Sequence, residues 1–239
     1  MPEGPWRAVF GPLLERASLV VGQLGQSLDG RIATPTGASH YINGPEAIVH
    51  LHRLRAMVDA VLVGVGTAAA DDPALTVRHV EGPSPCRVVI DPGGRLSPAA
   101  RLLADDGRRR IVVTRPDASP ALPAGVERLH VEPDGDGGLP PARIVEALAR
   151  LGLARLLVEG GAFTVSRFLH AGCLDRLHVA VAPLIIGSGP TGIALPPIDR
   201  LDEALRPPAR CHPLGGDVLW DVDLAALRPS ARGVAHRST

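Results

Sequence analysis

The apolar run from Ala60 to Val63 stops at Gly64 and Gly66, then gives way to Thr67, the carboxylates Asp71 and Asp72, Pro73 and Arg78. A run this short and apolar at every position reads as a strand covered on both faces, which points to a layered α/β fold. The pattern recurs at Leu156 to Glu159, where Gly160 and Gly161 open the next helical segment. Glycines let backbone come close to a ligand, and a strand end fixes polar groups in space. Alone, each stretch also reads as ordinary strand-to-loop punctuation.

The rest of the chain fits that frame. Strand-like runs fall at 19–24, 60–63, 87–90, 111–114, 128–131, 156–159, 177–182 and 218–222, and helical periods at 45–57, 141–151 and 162–170. In the first helix Ile48, Leu51, Leu54 and Arg55 recur at helical spacing. Asn43-Gly44-Pro45-Glu46 reads as its start, with a capping side chain and an acidic first turn. Strands alternating with helices predict a mainly parallel central sheet flanked by helices, and the last strands, with no helix between them, an antiparallel edge. Residues 1–17, rich in Pro and Gly, read as an N-terminal arm with little regular structure, and 225–239 as a C-terminal tail. The expectation is one domain over 1–239.

Composition removes several function classes. The formal net charge is zero and aromatics make up 3% of the chain, so neither a basic footprint nor stacking platforms for nucleic acid are expected. Every basic residue is Arg, which excludes a Schiff-base or P-loop lysine. No apolar run reaches spanning length and no signal pattern opens the chain, so the expected location is cytoplasmic, away from membranes. Cys86, Cys173 and Cys211 are scattered and read as reduced thiols. His50 and His52 are two apart, a poor helical metal pair, and no metal site is expected.

Three groups of residues offer chemistry. Ser27 to Ala33 holds an Asp29-Gly30 turn, and Thr36 to Ile42 adds Ser39, His40 and the single Tyr41. Arg55 lies on the Ile48–Leu51 face of its helix. An inward guanidinium needs an anion, and spacing leaves a structural carboxylate and a substrate phosphate equally open. Glu159-Gly160-Gly161 ends a strand and opens a helix, where bare amides favour a pyrophosphate.

Taken together, Ser27–Ala33, Pro45-Glu46, His52–Arg55, Asp59–Thr67, Asp71–Arg78, Arg87–Asp91 and Val158–Gly161 resemble, in order and with matching gaps from about residue 18 to 224, the reductase half of the bifunctional riboflavin-biosynthesis deaminase/reductase. The resemblance implies a dihydrofolate-reductase-like fold, NADPH as cofactor, a homodimer, and reduction of the ribosylamino chain of a pyrimidinone 5′-phosphate to a ribitylamino chain. It also implies that Ser39, Arg55, Leu75, Arg78 and Glu159 contact substrate, with Arg55 and Arg78 gripping the phosphate. Gly25, Tyr41, Thr67 and Asp71, with Gly160, Gly161, Ala162, Phe163 and Thr164, would contact the cofactor, and Asp71 and Glu159 lie nearest the chemistry. Arg95, Ser97, Thr114 and Arg115 are candidates for the cofactor 2′-phosphate.

Two departures qualify the match. Cys86 stands alone, with Val89 where a deaminase zinc site would need a second cysteine, so no deaminase half is expected. Gln23 stands where the family usually has lysine. That neutral amide favours, as one alternative, a pterin or dihydrofolate reductase on the same fold; a non-catalytic NADPH-binding protein on the same scaffold is the other.

Overall fold

The computed structural model describes residues 6–228. Its elements run α1 (Trp6–Leu14), β1 (Leu19–Ser27), α2 (Pro45–Ala56), β2 (Ala60–Gly64), α3 (Val65–Asp71), β3 (Cys86–Ile90), β4 (Arg110–Thr114), β5 (Val126–His130), α4 (Pro141–Arg150), β6 (Arg155–Val158), α5 (Ala162–His170), β7 (Arg176–Ala182), β8 (Ala209–Leu214) and β9 (Asp217–Asp223). One nine-stranded sheet has the order β5-β4-β3-β2-β6-β1-β7-β9-β8. Pairing is parallel from β5 through β7 and antiparallel at β7–β9 and β9–β8. This is the predicted mixed sheet.

Burial explains why the central strands lack alternation. In β2, Ala60 and Leu62 pack into one core, while Val61 and Val63 pack into the other on the opposite face. Neither face meets water, so selection for polar residues at every second position disappears.

Three elements differ from the sequence reading. The expected arm contains α1, whose Val9, Phe10 and Leu13 are buried. Its Gly11 and Pro12 are poor helix formers, but tertiary contacts outweigh propensity. Trp6 and Phe10 stack on His50 of α2, at centroid distances of 6.3 and 5.3 Å, and the Arg53 guanidinium lies 4.4 Å above the Trp6 ring. Residues 65–71, read as a turn, form α3. Strand β8 has no counterpart among the expected strands, because its Arg, Cys, His and Pro carry no apolar signal; register comes from pairing with β9.

At the other end, Arg228 is held by Asp175 Oδ1 at 2.8 Å, so ordered structure continues into the predicted tail. Residues 1–5 and 229–239 of the two predicted end segments lie outside the described residues.

A buried polar chain pins α2 to the sheet. His50 Nε2 lies 3.0 Å from His178 Nδ1, and His178 Nε2 lies 3.1 Å from Asp221 Oδ1. Arg176 forks onto Asp221, whose carboxyl falls to about 2: the hydrogen bonds and charges of His178 and Arg176 outweigh the opposing effect of burial. Anchored this way, α2 presents Ala47, Ile48, Leu51 and Arg55 to a cleft.

Candidate active site

The cleft holds about 550 Å³ and lies beside the carboxyl ends of β2 and β6, where ligands of open α/β sheets bind. Its lining brings together Gly25, Ser39, Tyr41, Arg55, Thr67, Asp71, Leu75, Glu159, Gly160, Gly161 and Ala162. An adjoining cavity of about 390 Å³ shares Gly66, Thr67 and Gly161, and adds Phe163, Thr164, Arg95 and Arg167. The expected substrate and cofactor contacts, the 2′-phosphate candidates aside, therefore converge with one exception. Arg78 is exposed on the surface and is not among the cleft-lining residues.

The two glycine turns are locked together. Thr67 Oγ1 accepts the Gly161 amide at 2.8 Å. Gly160 has φ +88°, and a Cβ there would sit 2.8 Å from Thr67 Cγ2. At Gly64 a Cβ would come within 2.5 Å of Thr164 Oγ1. These glycines allow close approach of the turns after β2 and β6, with the Thr67 side chain packed against the start of α5.

Arg55 resolves the alternative left open by spacing. Its Nε and Nη2 donate to both oxygens of Glu159, at 3.1 and 2.6 Å, and its Nη1 donates to the Thr76 carbonyl at 3.1 Å. Both partners are buried. The anion is a carboxylate of the protein, so the expected two-arginine phosphate grip is not formed in this structure. Asp71, in contrast, ends α3 with its carboxylate exposed in the cleft and makes no hydrogen bond among the described residues.

The loop after α3 is strained and anchored. Asp72 and Leu75 are non-glycine residues with φ of 39° and 55°, and Leu75 is buried in the cleft wall. Alongside the bond from Arg55 to Thr76, His52 Nδ1 accepts the Arg78 amide at 3.0 Å. Burial, then the positive charge of Arg55, push the His52 imidazole down to about 4, which preserves the neutral acceptor.

A depressed histidine supports folding fully above its unfolded value near 6.5, and that support is lost as pH falls towards 4. Burial pushes His50 in the same direction. Stability is expected to drop by about 2 kcal/mol from His52 alone between pH 7 and 5. Urea midpoints of the wild type and His52→Gln at those two values check this, because the variant lacks that share of the drop.

Of the candidates for a 2′-phosphate, Arg95 lines the second cavity. Arg115 pairs with Asp117, Thr114 is buried beside His130, and Ser97 Oγ accepts from the Ala99 amide. Gln23 places a neutral amide in the cleft wall. Asn43, expected as the helix cap, makes no cap bond: Gly44 occupies the cap, and the Asn43 side chain reaches β7 and β9 instead. No local signal distinguishes these roles, since Asp217 lies 174 residues away. Among the described residues no three His, Cys, Asp or Glu side chains converge as metal ligands, and no helix is long and apolar enough to cross a membrane.

A mainly parallel sheet with an antiparallel edge and a glycine-lined cleft at its strand ends is the layout of a ligand-binding α/β protein. The profile of the RibD C-terminal domain matches residues 19–210, and the chain belongs to that family. It is 35% identical over 207 residues to the 2,5-diamino-6-ribosylamino-4(3H)-pyrimidinone 5′-phosphate reductase of Methanothermobacter thermautotrophicus, covering 84% of this chain and 95% of that protein. It is 34% identical to riboflavin biosynthesis protein RibD of Escherichia coli, covering 76% of this chain but 53% of that protein, about half its length. Among solved structures, the deaminase/reductase of Thermotoga maritima superposes with a TM-score of 0.74 at 26% identity, over 90% of this chain and 58% of that one. The Saccharomyces cerevisiae riboflavin biosynthesis reductase Rib7 shares the fold, with a TM-score of 0.75 at 21% identity, over 92% of this chain and 99% of that one.

Proposed function

We propose that this protein is an NADPH-dependent reductase that converts the ribosylamino chain of a pyrimidinone 5′-phosphate to a ribitylamino chain. The observation that carries the reading is the convergence of Gly25, Tyr41, Thr67, Asp71, Glu159, Gly160 and Gly161, from separate stretches of sequence, on one cleft. The start of α5 after Gly160 and Gly161 lines the cleft, and a helix start suits the cofactor pyrophosphate; the adjoining cavity with Arg95 suits its far end. When bound, NADPH supplies the hydride that C1′ of the opened chain gains.

The protein's own part is positioning, exclusion of water and one proton. Thr67 holds the two cofactor turns in register. Arg55 fixes Glu159 as an oriented acceptor at the cleft wall and ties the Leu75 loop to α2. Ser39 adds a hydroxyl to the cleft lining. Arg78, on the exposed end of that loop, meets the 5′-phosphate, and Asp71 relays the proton that balances the hydride.

Loss of NADPH absorbance with the phosphorylated ribosylaminopyrimidine, its phosphate-free analogue, dihydrofolate and a dihydropterin tests the reading. Turnover of the phosphate compound alone is expected. Turnover of a pterin or folate alone, or tight binding of NADPH with no turnover, overturns it in favour of a repurposed or non-catalytic scaffold.

The same reading includes a homodimer in the cytoplasm. Ile185, Leu201, Leu205, Val218 and Trp220 are exposed large apolar side chains on β9 and on segments that follow β7. Sedimentation is expected to give twice the chain mass of 24.9 kDa, and Trp220→Asp to give the monomer.

A further inference from the structure

We infer that Asn43, oriented by Asp217, is the acceptor that reads the carboxamide of the nicotinamide ring; the inference rests on the nicotinamide reading above. Asn43 lines the cleft beside Gly25. A side-chain amide has two N–H donors and one carbonyl acceptor, and which end faces a ligand depends on what the other end holds. Here both donors are engaged. Asn43 Nδ2 donates to the Ala180 carbonyl at 3.1 Å and to Asp217 Oδ2 at 3.1 Å.

Turning the amide over would set its oxygen against two acceptors, so only one orientation satisfies the site. Asp217 is itself fixed, because the same oxygen accepts the Gly44 amide at 2.9 Å, and the residue is buried on β9.

The orientation leaves Asn43 Oδ1 as an acceptor with no hydrogen-bond partner in the protein among the described residues. It lies against Gly25, where an added Cβ would fall 1.9 Å from that oxygen. Any side chain at Gly25 would displace Asn43, so this glycine keeps the acceptor in place. An acceptor fixed in the cleft wall selects a ligand with an N–H to donate. The carboxamide amino group is such a donor. Asp217 is then a positioning residue, and Asn43 a binding residue for the cofactor.

Calorimetric titration with NADP⁺ and with its 3-acetylpyridine analogue, in which a methyl replaces the amino group, tests this without turnover. The wild type is expected to bind NADP⁺ about tenfold more tightly, the worth of one buried hydrogen bond. Asn43→Leu is expected to bind both equally, at the affinity the wild type shows for the analogue, and Asn43→Ala serves if that variant does not fold. Asp217→Ala is expected to lose most of the discrimination and Asp217→Asn, which keeps an acceptor oxygen, to recover it.

Full discrimination in the Asn43 variants, or none in the wild type, overturns the inference while leaving the nicotinamide reading intact. A wild type that binds neither dinucleotide overturns both.

Discussion

Arg55→Ala is expected to destabilise the fold by about 3–5 kcal/mol and to abolish turnover in whatever fraction remains folded. The stability loss comes from what is left behind. Glu159 is buried, and both of its oxygens are held by Arg55, so removing the guanidinium strands a charge away from water. The same change releases the Thr76 carbonyl and with it the loop that keeps buried Leu75 at a φ of 55°. Two costs of different kind therefore coincide.

Denaturant unfolding separates them from loss of chemistry. The double variant Arg55→Met with Glu159→Leu removes both charges together, and is expected to regain most of the stability while staying inactive. Recovery of activity in that double variant would show that the pair serves only the fold. Arg55→Lys is expected to fall between, because an ammonium cannot fork onto two carboxylate oxygens.

How far the cleft was legible depends on the range of each interaction. The turns at Gly64 and Gly160 announce themselves locally, since an apolar strand must end in residues that tolerate close approach, and glycine is the residue type that does. Helix α2 was legible from its period, and so was Arg55 on its inward face. What spacing left undecided was the anion, because Glu159 lies 104 residues from Arg55 in sequence.

Asn43 shows the opposite error. A polar residue ahead of Gly-Pro-Glu looks like a cap, yet its partners on β7 and β9 draw the side chain away from the helix. Helix α1 was hidden for a third reason. Gly11 and Pro12 lower its propensity, and the stacking of Trp6 and Phe10 on His50 that stabilises it exists only after α2 has docked.

Asp71→Asn is expected to lower kcat by about 10²–10⁴ with KM and stability little changed. Hydride transfer to C1′ leaves the reduced carbon–nitrogen unit one proton short, so some group in the cleft must deliver it. Of the two carboxylates lining the cleft, Glu159 has both oxygens committed to Arg55. Asp71 has neither oxygen engaged among the described residues, and it ends α3 with its carboxylate exposed to the cleft.

An amide at the same position keeps the volume and polarity but cannot pass a proton, so binding survives and the chemical step fails. Because Asp71 is exposed and its side chain makes no hydrogen bond or ion pair among the described residues, the unfolding midpoint of Asp71→Asn should match the wild type. Single-turnover rates decide the matter. A large drop in the rate of NADPH consumption, with unchanged cofactor affinity, assigns the relay to Asp71. An unchanged rate assigns the proton to water or to Glu159, and the Glu159→Gln variant then distinguishes those two.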